Sequence, residues 1–214
     1  MSAAPGQPPS ENETGRLEAF SDGVLAVAIT LLALNIGVPL RESGHPWHGL
    51  AAALTDQWPV YLAYLLSFLS ILIMWVNHHN LFKLIGHIDQ LFLLLNGLLL
   101  MVITLIPFAT ALLAEYIQQP DKRTAQVVYA AVSLLMALVF NRMWAYASRG
   151  RRLIAEHADQ KQVDAITSQF RFGPYLYLAA FLLAFVSAQA SLAACIGLAI
   201  FYAVPSSLVR RARV

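Results

Sequence analysis

The chain has 214 residues, of which 58% are hydrophobic and only 12% charged, against roughly 45–50% and 25% in soluble domains. With a mean hydropathy of +0.61 and a net charge of +2, it is no basic nucleic-acid-binding module, and its composition is that of an integral, multi-pass membrane protein. Its one cysteine, Cys195, excludes an intrachain disulfide.

Residues 1–14 (MSAAPGQPPSENET) lack a basic stretch followed by an apolar one. They read as a disordered cytoplasmic tail rather than a cleavable signal. Residues 15–209 predict a six-helix transmembrane domain, because the apolar runs at roughly 18–38, 55–80, 90–118, 124–147, 172–188 and 190–208 approach the ~20 residues a span needs. Pro107 predicts a kink in the third run. The last two runs cannot be one helix, since some 35 residues would extend about 50 Å. Residues 210–214 form a basic cytoplasmic tail. Lys83, Arg142, Arg149, Arg151, Arg152, Lys161, Arg171 and the C-terminal arginines fall on one side, while Arg41, Lys122 and Arg123 fall on the other. This bias predicts that both termini are cytoplasmic.

The first apolar run opens with Arg16, Ser21 and Asp22. An ionisable group in a membrane segment is costly and marks a candidate functional position. Trp75, His78 and His79 lie at the matching end of the second run, and Asp89 and Asn96 at that of the third. Lipid cannot solvate these groups, so they are expected to meet one another. Such a cluster is either polar adhesive between helices or a titrating group. In the second case Asp22 and the His78/His79 pair would serve a proton-coupled secondary transporter. Adjacent histidines point about 100° apart on a helix, whereas helical metal pairs sit at i and i+4, so no metal site is expected. The chain has no TVGYG filter, P-loop, G-x-S-x-G or H-E-x-x-H, and nothing in it points to an enzyme or a cofactor.

At about 100° per residue, Val27, Leu31 and Leu34 share one face of the first helix, with Phe20 and Val38 near the same line. Most such stripes pack on lipid or on neighbouring helices. A second reading is a hydrophobic constriction that controls the wetting of a pore.

The pattern Arg16-x-x-x-Phe20-Ser21-Asp22-Gly23, followed by Ala26, Thr30-Leu31-Leu32, Leu34 and Pro39, resembles the first-helix signature of the transmembrane-protein-175 family of potassium channels. Trp75-Val-Asn-His78-His79-Asn-Leu-Phe82 is similar to the ending of that family's second helix, and Asp89, Asn96 and Pro107-Phe108 are similar to its third-helix pattern. The resemblance covers about residues 16–110. It implies a homotetrameric channel with modest selectivity for K⁺ over Na⁺, six spans per chain, and the first helix lining the pore of a prokaryotic plasma-membrane protein. It also assigns Val27, Leu31 and Leu34 to the constriction and Thr30 to the tuning of selectivity. Arg16, Phe20, Ser21 and Asp22 would tether the first helix to Trp75, His78, His79, Asp89 and Asn96. The implied partners are a second, third and fourth copy of the chain, lipid, and permeant K⁺.

Overall fold

The computed structural model describes residues 9–39 and 49–203. Residues 1–8, Arg41 and the 210–214 tail lie outside the described residues. The described residues fold into α1 (Pro9–Ala33), α2 (Leu50–Asp56), α3 (Trp58–Phe82), α4 (Gln90–Thr104), α5 (Ile106–Tyr116), α6 (Lys122–Ser148), a 3-10 turn at Arg149–Arg151, α7 (Gln160–Phe170), α8 (Gly173–Val186) and α9 (Ala188–Ala203). The expected all-helical class is observed. The expectation of six spans is corrected: among the described residues four helical stretches are long and apolar enough to cross a membrane, namely Trp58–Phe82, Gln90–Tyr116, Lys122–Arg151 and Gln160–Val186.

The reasons are physical. Arg16, Glu18 and Asp22 make α1 too charged for a lipid-facing span. What reads as a separate loop and fifth run is one helical stretch, because α7 leads directly into α8. The last apolar helix, Ala188–Tyr202, is short. At the other end of the chain, α1 begins at Pro9, inside the segment read as a tail.

Local chemistry sets the boundaries. Asp89 caps α4 by accepting from the Phe92 amide at 2.9 Å. Pro107 has no amide to offer the Ile103 carbonyl, so the helix breaks at Leu105 and restarts as α5. Ser187 leaves the helical conformation and accepts from the Ala190 amide at 3.2 Å to start α9. Helix α9 then folds back on α8: the Ser191 hydroxyl donates to the Ala180 carbonyl at 2.7 Å, and Tyr177 stacks on Tyr202.

Helix α6 is the centre of the bundle and packs on α4, α5, α8 and α9. It buries Tyr129, Met136, Phe140, Met143 and Trp144. Helix α1 lies against α3, α4 and α5. At the basic end of the bundle the 83–88 connection pairs with the 152–156 segment. There the Gly86 amide donates to the Leu153 carbonyl and the Ala155 amide to the Leu84 carbonyl, both at 2.9 Å. This close approach requires glycine, since a Cβ on Gly86 would sit 2.7 Å from the Ala155 Cα.

Candidate functional site: the two faces of the first helix

Helix α1 is divided lengthwise. Ser21, Leu25, Ala28 and Leu32, spaced by four, three and four residues, are buried and form the stripe that faces the bundle. The opposite stripe is open. Phe20 is 63% exposed, Val27 57%, Leu31 40% and Leu34 77%. Thr30 is exposed beside them, and its hydroxyl donates to the Val27 carbonyl at 2.8 Å.

The bundle side of α1 is fastened by polar contacts at each end. At the basic end Glu18, Ser21 and Asp22 stand at i, i+3 and i+4 and therefore share a side. The Trp75 indole donates to Asp22 Oδ1 at 2.9 Å, and His79 Nδ1 meets Glu18 Oε1 at 2.7 Å. Between those two contacts the Trp75 and His79 rings stack, 5.9 Å apart. Ser21 takes part in a buried chain. Its hydroxyl donates to the Leu17 carbonyl and accepts from Asn96 Nδ2, each at 2.9 Å. The Asn96 oxygen then pairs with His78 Nε2 at 2.9 Å. An amide oxygen only accepts, so His78 carries its hydrogen on Nε2 in this assignment. Its Nδ1 is buried without a hydrogen-bond partner among the described residues, and the ring stacks on Phe82.

At the other end Asn35 Nδ2 donates to the Pro107 carbonyl at 3.2 Å, and Gln57 Nε2 donates to the Gly37 carbonyl at 3.0 Å. The residue that breaks the α4–α5 helix thus also supplies an anchor for the exit of α1.

Of the residues expected to tether α1, the structure brings Ser21, Asp22, Trp75, His78, His79 and Asn96 together. Asp89 goes elsewhere. Besides capping α4 it accepts from the Tyr146 hydroxyl, which itself accepts from Arg152 at 3.1 Å. Partial desolvation pushes the Asp89 carboxyl up. The Tyr146 and Phe92 donors and the Arg152 charge outweigh that and hold it below its ordinary value of 3.8. Arg16 is exposed, with no hydrogen bond or ion pair among the described residues, and Phe20 faces out with the Val27 stripe. Sequence reasoning passed over Glu18, Asn35 and Tyr146. Glu18 was within reach of the depth argument that found Asp22, being one turn from it on the same side. Among the described residues no group of three or more His, Cys, Asp or Glu is placed to hold a metal.

Residues 16–107 match the model of the family described as endosomal/lysosomal potassium channel TMEM175. A potassium channel of Chamaesiphon minutus is 53% identical over 199 residues, 93% of this chain and 98% of that one. This chain belongs to the TMEM175 family. A protein of Streptomyces collinus, also named a potassium channel, is 45% identical over 89% of this chain and 92% of its own length. The fold agrees with a crystal structure described as a lysosomal potassium-selective channel TMEM175 homolog from Chamaesiphon minutus. That structure has a TM-score of 0.79 and 51% identity, covering 90% of this chain and 97% of the other. Like these TMEM175 proteins, the chain is an integral, multi-pass membrane protein. The family model ends at the α4–α5 break, so it spans both the tether and the exposed stripe of α1.

Proposed function

We propose that the chain is a potassium channel, not an enzyme, in which the exposed face of α1 from four identical copies surrounds the ion path. The observation that carries this reading is the division of α1. One face is buried and pinned by Ser21, Asp22 and Asn35, while Val27, Leu31, Leu34 and Thr30 are presented outward on a helix whose charges suit protein and water better than lipid. One helix cannot enclose a path, whereas four copies around an axis can. Its similarity to proteins named as potassium channels supports the choice of ion.

Rings of Val27, Leu31 and Leu34 offer an ion no carbonyl oxygens. They act as hydrophobic constrictions that set the probability of wetting. An ion that passes such a ring sheds part of its water, which is easier for K⁺ than for Na⁺, so discrimination is modest. Val27, shorter than leucine, makes the widest of the three rings. The Thr30 hydroxyl is committed as a donor to its own helix, which leaves its oxygen lone pairs to face a partly dehydrated cation.

The proton-relay alternative finds less support. Asp22 bonds to Trp75, His78 to Asn96 and His79 to Glu18, and no hydrogen bond joins Asp22 to either histidine among the described residues. The test is bi-ionic reversal potential in planar bilayers. Leu31→Ala is expected to raise conductance and lower K⁺/Na⁺ discrimination, whereas Leu32→Ala, on the buried face, leaves discrimination alone. Unchanged current and selectivity in Leu31→Ala would remove α1 from the ion path. A protein that is not tetrameric by native mass spectrometry would remove the assembly.

A further inference from the structure

A groove runs along the outside of the bundle between α6 and α8, away from α1, with a cavity volume of about 260 Å³. Its two walls are built alike. On α6, Arg142, Leu138 and Leu134 recur at every fourth residue. On the facing wall Arg171, Tyr175 and Leu178 follow at intervals of four and three. Those spacings keep the α6 trio on one stripe and Tyr175 and Leu178 on one stripe of α8, with Arg171 in the turn that leads into α8, so both walls carry an arginine at the basic end of the bundle and leucine further in. Asn141 Nδ2 donates to the Phe170 carbonyl at 3.0 Å and holds the walls together at the arginine end.

Both arginines are exposed, and neither makes a hydrogen bond or ion pair among the described residues. The Arg171 guanidinium lies over the Phe172 ring, 5.8 Å from its centroid. Among the described residues no acidic side chain lines the groove. Two unpaired guanidiniums at the mouth of an apolar slot form a site for an anion that carries a hydrocarbon tail. Guanidinium matches phosphate geometry through paired N–H donors, and basic side chains at a membrane surface attract anionic lipid.

We infer that this groove binds an anionic phospholipid, with its phosphate bridging Arg142 and Arg171 and one acyl chain lying along Leu134, Leu138 and Leu178. Tyr175, half apolar and half polar, stands at the boundary between headgroup and tail. The inference needs the placement of these helices in a membrane and is independent of ion permeation through α1.

The test is native mass spectrometry of the purified, delipidated full-length protein titrated with palmitoyl-oleoyl phosphatidylglycerol or with the corresponding phosphatidylcholine. The wild type is expected to retain phosphatidylglycerol in preference to phosphatidylcholine. The double variant Arg142→Gln/Arg171→Gln is expected to bind it roughly thirtyfold more weakly, from two surface cations. Leu138→Trp keeps both arginines but fills the slot, and it should lose lipid as well. Equal retention of the two lipids, or undiminished retention in either variant, overturns the proposal. So does full displacement by millimolar inorganic phosphate, which would make the site one for a free anion. A wild type that retains no lipid, as a groove covered by a second copy of the chain would give, also overturns it.

Discussion

Replacing Asn96 with leucine tests the buried chain that ties α1 to α3 and α4. The side chains are similar in volume, so the change removes polar atoms without opening a cavity. Asn96 is 1% exposed and makes two hydrogen bonds, one to Ser21 and one to His78. The two partners lose unequally. Ser21 keeps its bond to the Leu17 carbonyl and forfeits only an incoming donor. His78 forfeits everything, since Nδ1 already has no partner and Nε2 would join it. A buried donor left unsatisfied costs about 1–3 kcal/mol in water-soluble proteins. In membranes the pairwise value averages about 0.6 and reaches about 1.7 kcal/mol, because the unfolded chain in lipid also finds partners. The expected loss is therefore about 1–2 kcal/mol, read from reversible SDS unfolding of the protein in mixed micelles. The decisive variant is Asn96→Leu/His78→Phe. With both polar groups gone nothing is orphaned, and the double variant should recover to within about 0.5 kcal/mol of wild type. A single variant as stable as wild type, or a double variant at least as damaged as the single, would refute the account of this chain as an energetically coupled tether.

Gly86→Ala should strain the pairing of the 83–88 and 152–156 segments, because its new Cβ would meet backbone at 2.7 Å; limited proteolysis should then cleave near Ala155 faster than in wild type. For Asp89 the depressed carboxyl pKa means that its contribution to stability is full above the ordinary value of 3.8 and is lost as pH falls through the lower folded value. Tyr146→Phe removes one of the donors responsible, so its melting temperature should depend less on pH than that of wild type between about pH 5 and 3. Asp22→Asn keeps an oxygen for the Trp75 indole and Asp22→Ala does not, so the alanine variant should lose more thermal stability, by about 1 kcal/mol on SDS unfolding.

The tether was legible because lipid offers no alternative partner. Once Ser21, Asp22, Trp75, His78 and Asn96 are assigned to the same depth, they have only one another to bond. The same logic could not place Asp89, which lies at a helix start where an amide and a tyrosine hydroxyl on α6 compete for it. Span counting failed for a different reason. Hydropathy treats each apolar run as facing lipid, yet α1 carries Arg16, Glu18 and Asp22 where its apolar stretch begins, and the basic segment after Gly150 winds into α7 and joins α8. The anchors at Asn35 and Gln57 left no trace in periodicity, since each bonds a backbone carbonyl, a group that every residue carries.

Fastening α1 near both ends constrains how it moves. A rod clamped by Asp22 and Ser21 at one end and by Asn35 at the other cannot slide along its own axis without breaking several bonds at once. It can bow, or it can travel with its whole subunit. In the proposed assembly the distance between successive apolar rings is thereby a constant of the machine: Leu31 stands about 6 Å from Val27 along the axis, whatever the width of the path. Opening and closing alter the diameters of the gates and never their order or separation, so an ion meets the same sequence of thresholds in every conducting state.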